Sequence, residues 1–227
     1  MKLIYKGKTK DVYELENKNV LLKFKDSATS DSDGNFDPGA NSAGITIDGL
    51  GMASLKMTAY YFELLNKKNI PTHFISSDIE NAGITVKPAE TFGKTGIEVI
   101  CRLKAVGSFY RRFKAYCTKE GMDLDSLVEI QIKDDEQGDP FIDKYGLIQL
   151  NILTDYEYVT IVTITRRTAD ILKNDFAEKG LELYDMKFEF GKINGEIVLI
   201  DDISPGNLRV YKNGIWLQPL ELAEYFK

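Results

Sequence analysis

The chain has 227 residues, 43% of them hydrophobic and 28% charged, and its 29 Lys and Arg against 35 Asp and Glu leave a formal charge of −6 at pH 7. A chain this long can bury enough apolar surface to fold as one large domain or two small lobes without disulfides or metal, and its acidic balance argues against a phosphate-neutralising grip on nucleic acid. No apolar run approaches the roughly 18 residues that cross a bilayer, and the N-terminus lacks the apolar stretch of a signal peptide, so a cytoplasmic protein with neither nucleic-acid nor membrane partners is expected.

Residues 3–25 alternate apolar and polar side chains around the basic turn Gly7-Lys8-Thr9-Lys10, with Asn17-Lys18-Asn19 as a second turn. That period of two predicts short antiparallel strands. Backbone N–H groups and two ammonium groups in the first turn could face a polyphosphate, although no Walker pattern is present. Residues 26–44, rich in Asp, Gly and Ser around Asp37-Pro38-Gly39, read as a long surface loop. From Met52 to Asn69 the apolar spacing predicts a core helix that stops before Pro71. Residues 73–87 and 96–104 read as strands, with Pro88 to Thr95 connecting two lobes. His73 is the only histidine, which leaves a Ser-His-Asp triad or a histidine metal cluster a single donor. A structural or exposed role is expected for it. Cys101 and Cys117 have the spacing of neither a zinc site nor a disulfide framework, and both are expected to be reduced and buried.

Arg102, Ser108, Arg111 and Arg112 cluster around Gly107, where guanidinium forks could hold a phosphate. The segment from Lys133 to Pro140 reads as a polar, turn-rich loop. Thr154-Asp155-Tyr156-Glu157 has the spacing of a capping box and Gly180 suits a helix C-cap, which brackets a helix despite the β-branched stretch Val159 to Thr165. From Leu181 to Phe190 the alternation puts Asp185, Lys187 and Glu189 on one face of a strand and Tyr184, Met186, Phe188 and Phe190 on the other. Gly191 to Gly195 is a hairpin signal, and Glu196 to Asp202 is the returning strand. A three-residue loop places Glu189 opposite Asp201 on one face; a two-residue loop places Asp201 on the far face. Two opposed carboxylates repel unless a cation lies between them, and magnesium, which takes one or two carboxylates together with phosphate oxygens, fits Glu189 and Asp201.

Tyr5-Lys6-Gly7-Lys8-Thr9-Lys10, Ala105-Val106-Gly107-Ser108 after Arg102, Lys133-Asp134-Asp135 with Gly138-Asp139-Pro140, Asp185-Met186-Lys187-Phe188-Glu189-Phe190-Gly191 and Asp201-Asp202-Ile203-Ser204-Pro205 occur in this order. Together they resemble the phosphoribosylaminoimidazole-succinocarboxamide synthase (SAICAR synthetase) family of purine biosynthesis, over residues 5 to 212. The resemblance implies an α+β, two-lobed fold related to the kinase and ATP-grasp architectures. A small antiparallel N-terminal β lobe, residues 1–90, would cover ATP over a larger α+β lobe, residues 91–227. The implied reaction joins L-aspartate to the carboxylate of carboxyaminoimidazole ribonucleotide (CAIR), with ATP and Mg²⁺ required and a homodimer suggested.

Carried over position by position, Lys8, Thr9 and Lys10 would cover the ATP phosphates, with Lys87 beside the adenine, and Glu189 and Asp201 would hold magnesium. Arg102, Ser108, Arg112, Ser204 and Arg209 would bind the ribonucleotide, while Lys187, Lys133 and Asp139 would serve catalysis. The chain departs from the family's usual Asp-Glu-Ile-Ser-Pro-Asp, having Asp202 for the Glu and Gly206 for the last Asp. It has Gly49-Leu50-Gly51 with Ser54 where Gly-Lys-Gly and a later Asn are usual, and the family's usual C-terminal helix is expected to be short or absent. Alternative readings are an amide ligase of the same fold with another amine or carboxylate, and a nucleotide-binding regulator without turnover.

Overall fold

The structure, a computed structural model, describes residues 1–31, 33–40 and 42–226. The alternating N-terminal segment forms strands β1 (Lys2–Lys6), β2 (Lys10–Glu14) and β3 (Val20–Phe24). The basic turn is closed by a bond from the Gly7 N–H to the Lys10 carbonyl at 2.9 Å. A Cβ at position 7 would lie 2.5 Å from that carbonyl oxygen, so this turn requires glycine. The expected 26–44 loop is instead partly a hairpin, β4 (Ser27–Ser30) and β5 (Ser42–Thr46). Its organising contact is apolar: Phe36 is buried with Ala28 and Leu50 and stacks on Trp216, ring centroids 5.9 Å apart.

Helix α1 (Leu50–Lys67) begins with no side-chain cap from its own N-cap residue. The Asp26 carboxylate serves instead, accepting from the Gly51 N–H at 2.8 Å. Strands β6 (Phe74–Asp78) and β7 (Gly83–Val86) complete an antiparallel five-stranded sheet in the order β1-β2-β3-β7-β6.

The connection between the expected lobes contains β8 (Glu90–Thr91), which pairs with a strand of the second sheet. There follow β9 (Ile97–Lys104), α2 (Gly107–Phe113), β10 (Asp123–Ile132), α3 (Lys144–Gln149), α4 (Asp155–Glu178), β11 (Glu182–Ile193), β12 (Glu196–Ile200), β13 (Leu208–Lys212), β14 (Ile215–Trp216) and the five-residue α5 (Pro219–Ala223). The central path of this sheet runs β10-β9-β11-β13-β14, with β8 and β12 also on β11.

The capping box of α4 is formed as expected by Thr154 and Glu157. Its β-branched run stays helical because Ile161, Ile164, Thr165 and Thr168 are buried, so packing overrides propensity. One apolar core extends from Leu22 and Ile84 of the first sheet through Leu55, Tyr61 and Phe62 of α1 to Val99, Phe188 and Leu199 of the second. The sheets are also stitched together where the His73 N–H bonds the Leu199 carbonyl at 3.0 Å and the Leu199 N–H bonds the Pro71 carbonyl at 2.9 Å.

Two expectations change. Cys101 is buried, its thiol pushed up to about 12 by burial, but Cys117 is only half-buried. A register shift in β11 between Leu183 and Asp185 breaks the simple alternation. Leu183 therefore joins the core, whereas Tyr184 leaves it and stacks on Tyr211 at 3.7 Å.

His73 is 4% exposed, and its Nε2 has no hydrogen-bond partner among the described residues. Burial, partly opposed by the nearby Asp201, lowers its pKa from 6.5 to about 4. Between those two values the unfolded chain takes up a proton that the folded protein refuses, so stability falls as pH drops through this window. We predict that wild-type protein loses about 3 kcal/mol more than His73→Phe between pH 7 and pH 4. Parallel denaturant titrations across that range check it; identical pH profiles would refute it.

Candidate active site

The β1–β2 turn overhangs the charged face of the second sheet and encloses a cleft of about 260 Å³. Gly7, Lys8, Thr9, Lys10, Val12 and Leu22 line one side of it; Glu98, Lys133, Asp139, Lys187, Glu189 and Asp201 line the other. Lys8, Glu98, Asp135 and Lys187 also line an adjoining cavity of about 770 Å³, so the two form one continuous site.

The hairpin loop has two residues, because Ile193 pairs with Glu196 and Glu189 with Ile200. Asp201 is therefore not the cross-strand partner of Glu189. It reaches the cleft by another route: its φ of +66° breaks the strand's alternation just beyond Ile200. The residue directly opposite Glu189 is Glu98 on β9. Sequence reading missed it, although Glu98 and Arg102 are an even number of positions apart on one strand and share a face.

Such a like-charged pair needs cations. Lys133 Nζ lies 2.5 Å from Glu189, and Lys187 Nζ lies 2.9 Å from Glu98. Lys10 crosses from the first sheet, 2.9 Å from Asp201 and 2.5 Å from Asp202. Burial disfavours the charge on Lys10, but these two carboxylates outweigh it and raise its pKa above the usual lysine range. Lys133 behaves alike, with Glu189 and Asp201 overcoming burial. Glu189 is pushed upward by burial and by Asp201, with Lys133 opposing. Asp201 goes down despite burial because of Lys10.

Among the described residues no three His, Cys, Asp or Glu side chains converge as a metal-ligand set. Two carboxylates beside a phosphate-sized space nevertheless suit magnesium, which keeps water and phosphate oxygens in its coordination sphere. The donor chemistry of Glu189 and Asp201 fits that ion.

The second cavity is built on buried arginines. Arg102, 1% exposed, contacts Glu129 at 2.5 Å, Asp185 at 3.1 Å and Ser108 Oγ at 3.0 Å. Arg209 contacts the same Asp185 oxygen at 2.7 Å and Asp37 at 2.5 Å. Gly107 has φ +54°, and a Cβ there would come within 2.8 Å of the Arg209 guanidinium. Arg112 donates to both oxygens of Glu129 and lies 3.8 Å over the Phe141 ring. Burial raises the Asp185 pKa against the pull of Arg209 and Arg102.

The structure thus brings Lys8, Thr9, Lys10, Lys133, Asp139, Lys187, Glu189 and Asp201 to the first cleft and Arg102, Ser108, Arg112 and Arg209 to the second. Two expected residues sit differently. Ser204 lines the first cleft away from the arginines, its Oγ accepting from the Gly206 N–H in the 3₁₀ turn Pro205–Asn207. Lys87 is exposed and lines neither cavity; its N–H bonds the His73 carbonyl at 2.8 Å. Asp139 is buried and accepts from the Asp134 N–H at 2.6 Å, fixing its own loop. Asp202, Glu129 and Asp37 are further charged residues that the sequence reading did not assign to the site.

The family model described as SAICAR synthetase matches residues 3–218. The chain belongs to the SAICAR synthetase family. A phosphoribosylaminoimidazole-succinocarboxamide synthase of Clostridium tetani is 51% identical over 99% of this chain and 98% of its own length. One of Streptococcus thermophilus is 38% identical over 92% of this chain and 84% of its own length. A type-2 SAICAR synthetase solved in complex with ADP superposes with a TM-score of 0.82 at 32% identity, covering 94% of this chain and 87% of that one. The enzyme of Ehrlichia chaffeensis gives 0.84 at 27% identity, covering 99% and 92%. The mixed α+β fold with several antiparallel sheets is the SAICAR synthetase fold. No helix among the described residues is long and apolar enough to cross a membrane.

Asp185 is the shared counter-charge of two buried guanidiniums. Asp185→Ala is predicted to lower stability by about 3 to 5 kcal/mol, because it removes the counter-charge the two buried guanidiniums share and leaves Arg102 with only Glu129 and Arg209 with only Asp37. Denaturant unfolding of the variant measures this, and a loss below about 1 kcal/mol would contradict the assignment.

Proposed function

We propose that the protein is an ATP-dependent carbon–nitrogen ligase that condenses L-aspartate with CAIR to give SAICAR, ADP and phosphate. The observation that carries this reading is the continuous site, with lysines and carboxylates suited to a nucleotide polyphosphate at one end and paired arginines suited to a sugar phosphate at the other. Membership of the family and the 51% identical synthase support it.

A carboxylate becomes an acyl donor only when one oxygen is made a leaving group. Here a carboxylate oxygen of CAIR would take the terminal phosphoryl group, releasing ADP and leaving an acyl phosphate. The amine of aspartate would then form the C–N bond as phosphate departs. The chain's share is positioning and charge neutralisation, for which no histidine is needed. Lys8, Thr9 and Lys10 would hold the polyphosphate beneath the β1–β2 turn, with Lys10 kept cationic by Asp201 and Asp202. Arg102, Ser108 and Arg209 would grip the ribonucleotide phosphate, bringing its carboxylate toward Lys187 and Lys133. Magnesium held by Glu189 and Asp201 would supply Lewis-acid neutralisation of the phosphoryl oxygens.

Glu189→Gln or Asp201→Asn is expected to abolish turnover while leaving the thermal midpoint within a few degrees of wild type. Wild-type rates in both would remove the metal assignment. Arg209→Ala is expected to raise the KM for CAIR at least tenfold while changing that for ATP little; the reverse order would contradict its role. The function itself is tested by ADP release with ATP, Mg²⁺ and CAIR in the presence and absence of L-aspartate, with the product weighed by mass spectrometry. Aspartate-independent release, or release only with another amine, would overturn the substrate assignment.

A further inference from the structure

The β4–β5 hairpin delivers an acidic side chain into the arginine cavity from 172 positions away in the chain. Asp37 Oδ1 accepts from Arg209 at 2.5 Å and from the Gly39 N–H at 2.8 Å, while Oδ2 lies 3.6 Å from Arg111. Two guanidiniums and a backbone N–H converging on one oxyanion are what a phosphate monoester would use. We propose that Asp37 is an internal stand-in for the substrate phosphate, holding the Arg209 and Arg111 anion site until a sugar phosphate displaces its carboxylate. This rests on the reading in which Arg209 anchors the ribonucleotide.

Charge supports the displacement. The guanidiniums of Arg102, Arg111, Arg112 and Arg209 are balanced by the carboxylates of Asp37, Asp185 and Glu129, with Asp31 also near Arg111. Withdrawing Asp37 removes one negative charge from beside Arg209 and Arg111, which leaves the positive charge that a phosphate monoester would neutralise. Without a stand-in, the closely spaced cations of the empty site would repel one another.

The backbone of the turn is held: the Asp37 N–H bonds the Thr29 carbonyl at 3.2 Å, Thr29 Oγ1 donates to the Asp37 carbonyl at 2.7 Å, and neighbouring Phe36 is stacked on Trp216. What gives way is the Asp37 side chain, whose rotation releases both arginines without moving the hairpin. The apparent affinity for a sugar phosphate is then lowered by the fraction of molecules in which Asp37 holds the site.

The test uses ribose 5-phosphate, which requires no turnover, titrated calorimetrically into the wild-type protein, Asp37→Asn, Asp37→Ala and Arg209→Ala. Asn retains an oxygen for the Gly39 N–H but loses the charge; Ala removes both. Both Asp37 variants should bind ribose 5-phosphate about fivefold more tightly than wild type, or better, and Arg209→Ala should bind it at least tenfold more weakly. Weaker binding by Arg209→Ala with unchanged or weaker binding by the Asp37 variants overturns the stand-in and leaves the anchor intact. Wild-type binding by Arg209→Ala overturns the anchor and the stand-in with it.

Discussion

Glu98 and Glu189 face each other across adjacent strands of a sheet whose other face is core. That arrangement holds only if cations are supplied from elsewhere in the chain, and much of the architecture can be understood as meeting this need. Lys187 comes from the same strand as Glu189, Lys133 from just beyond β10, and Lys10 from the other sheet altogether. The ionic contacts therefore also fasten the N-terminal sheet over the charged face of the second. A polyphosphate entering this cleft would meet lysines already charged and oriented, with their carboxylate partners available to a divalent cation.

The second cavity solves the opposite problem. There two arginines are buried, and carboxylates are brought in to balance them: Asp185 from the sheet between them, Glu129 from β10, and Asp37 from the hairpin. The two ends of the site thus present different cations, lysines at one and guanidiniums at the other, within one continuous space. That difference fits the proposed reaction, in which one substrate is a nucleotide polyphosphate and the other a sugar phosphate.

Much of this was legible in the residues. The N-terminal alternation, the helix before Pro71, the capping box at Thr154 and the charged face of β11 follow from local pattern and capping chemistry, which tertiary structure here reinforces. The proximity of Glu189 and Asp201 was also legible, but its cause was not. Pairing arithmetic allows either loop length, whereas the real loop has two residues and a left-handed backbone at Asp201 restores the orientation that the register alone denies. The register shift at Leu183 and the folding of 26–44 into a hairpin were hidden for a related reason: both depend on partners far along the chain, Leu208 to Tyr211 in one case and Trp216 in the other. Glu129, Glu98 and Asp37 escaped because each reads locally as one more surface carboxylate, and only the fold reveals which cation it balances.

The backbone at Asp201 also limits which side chains that position can accept. A φ of +66° is tolerated by Gly, Asn and Asp far better than by longer or branched side chains, since a short polar group can bond locally. Position 189, in regular strand, carries no such restriction. Of the two carboxylates, one is therefore selected twice over, for its charge and for its ability to occupy a bend. Mutational tolerance should accordingly be narrower at 201 than at 189, with glutamate at 201 disfavoured by conformation before any question of chemistry arises.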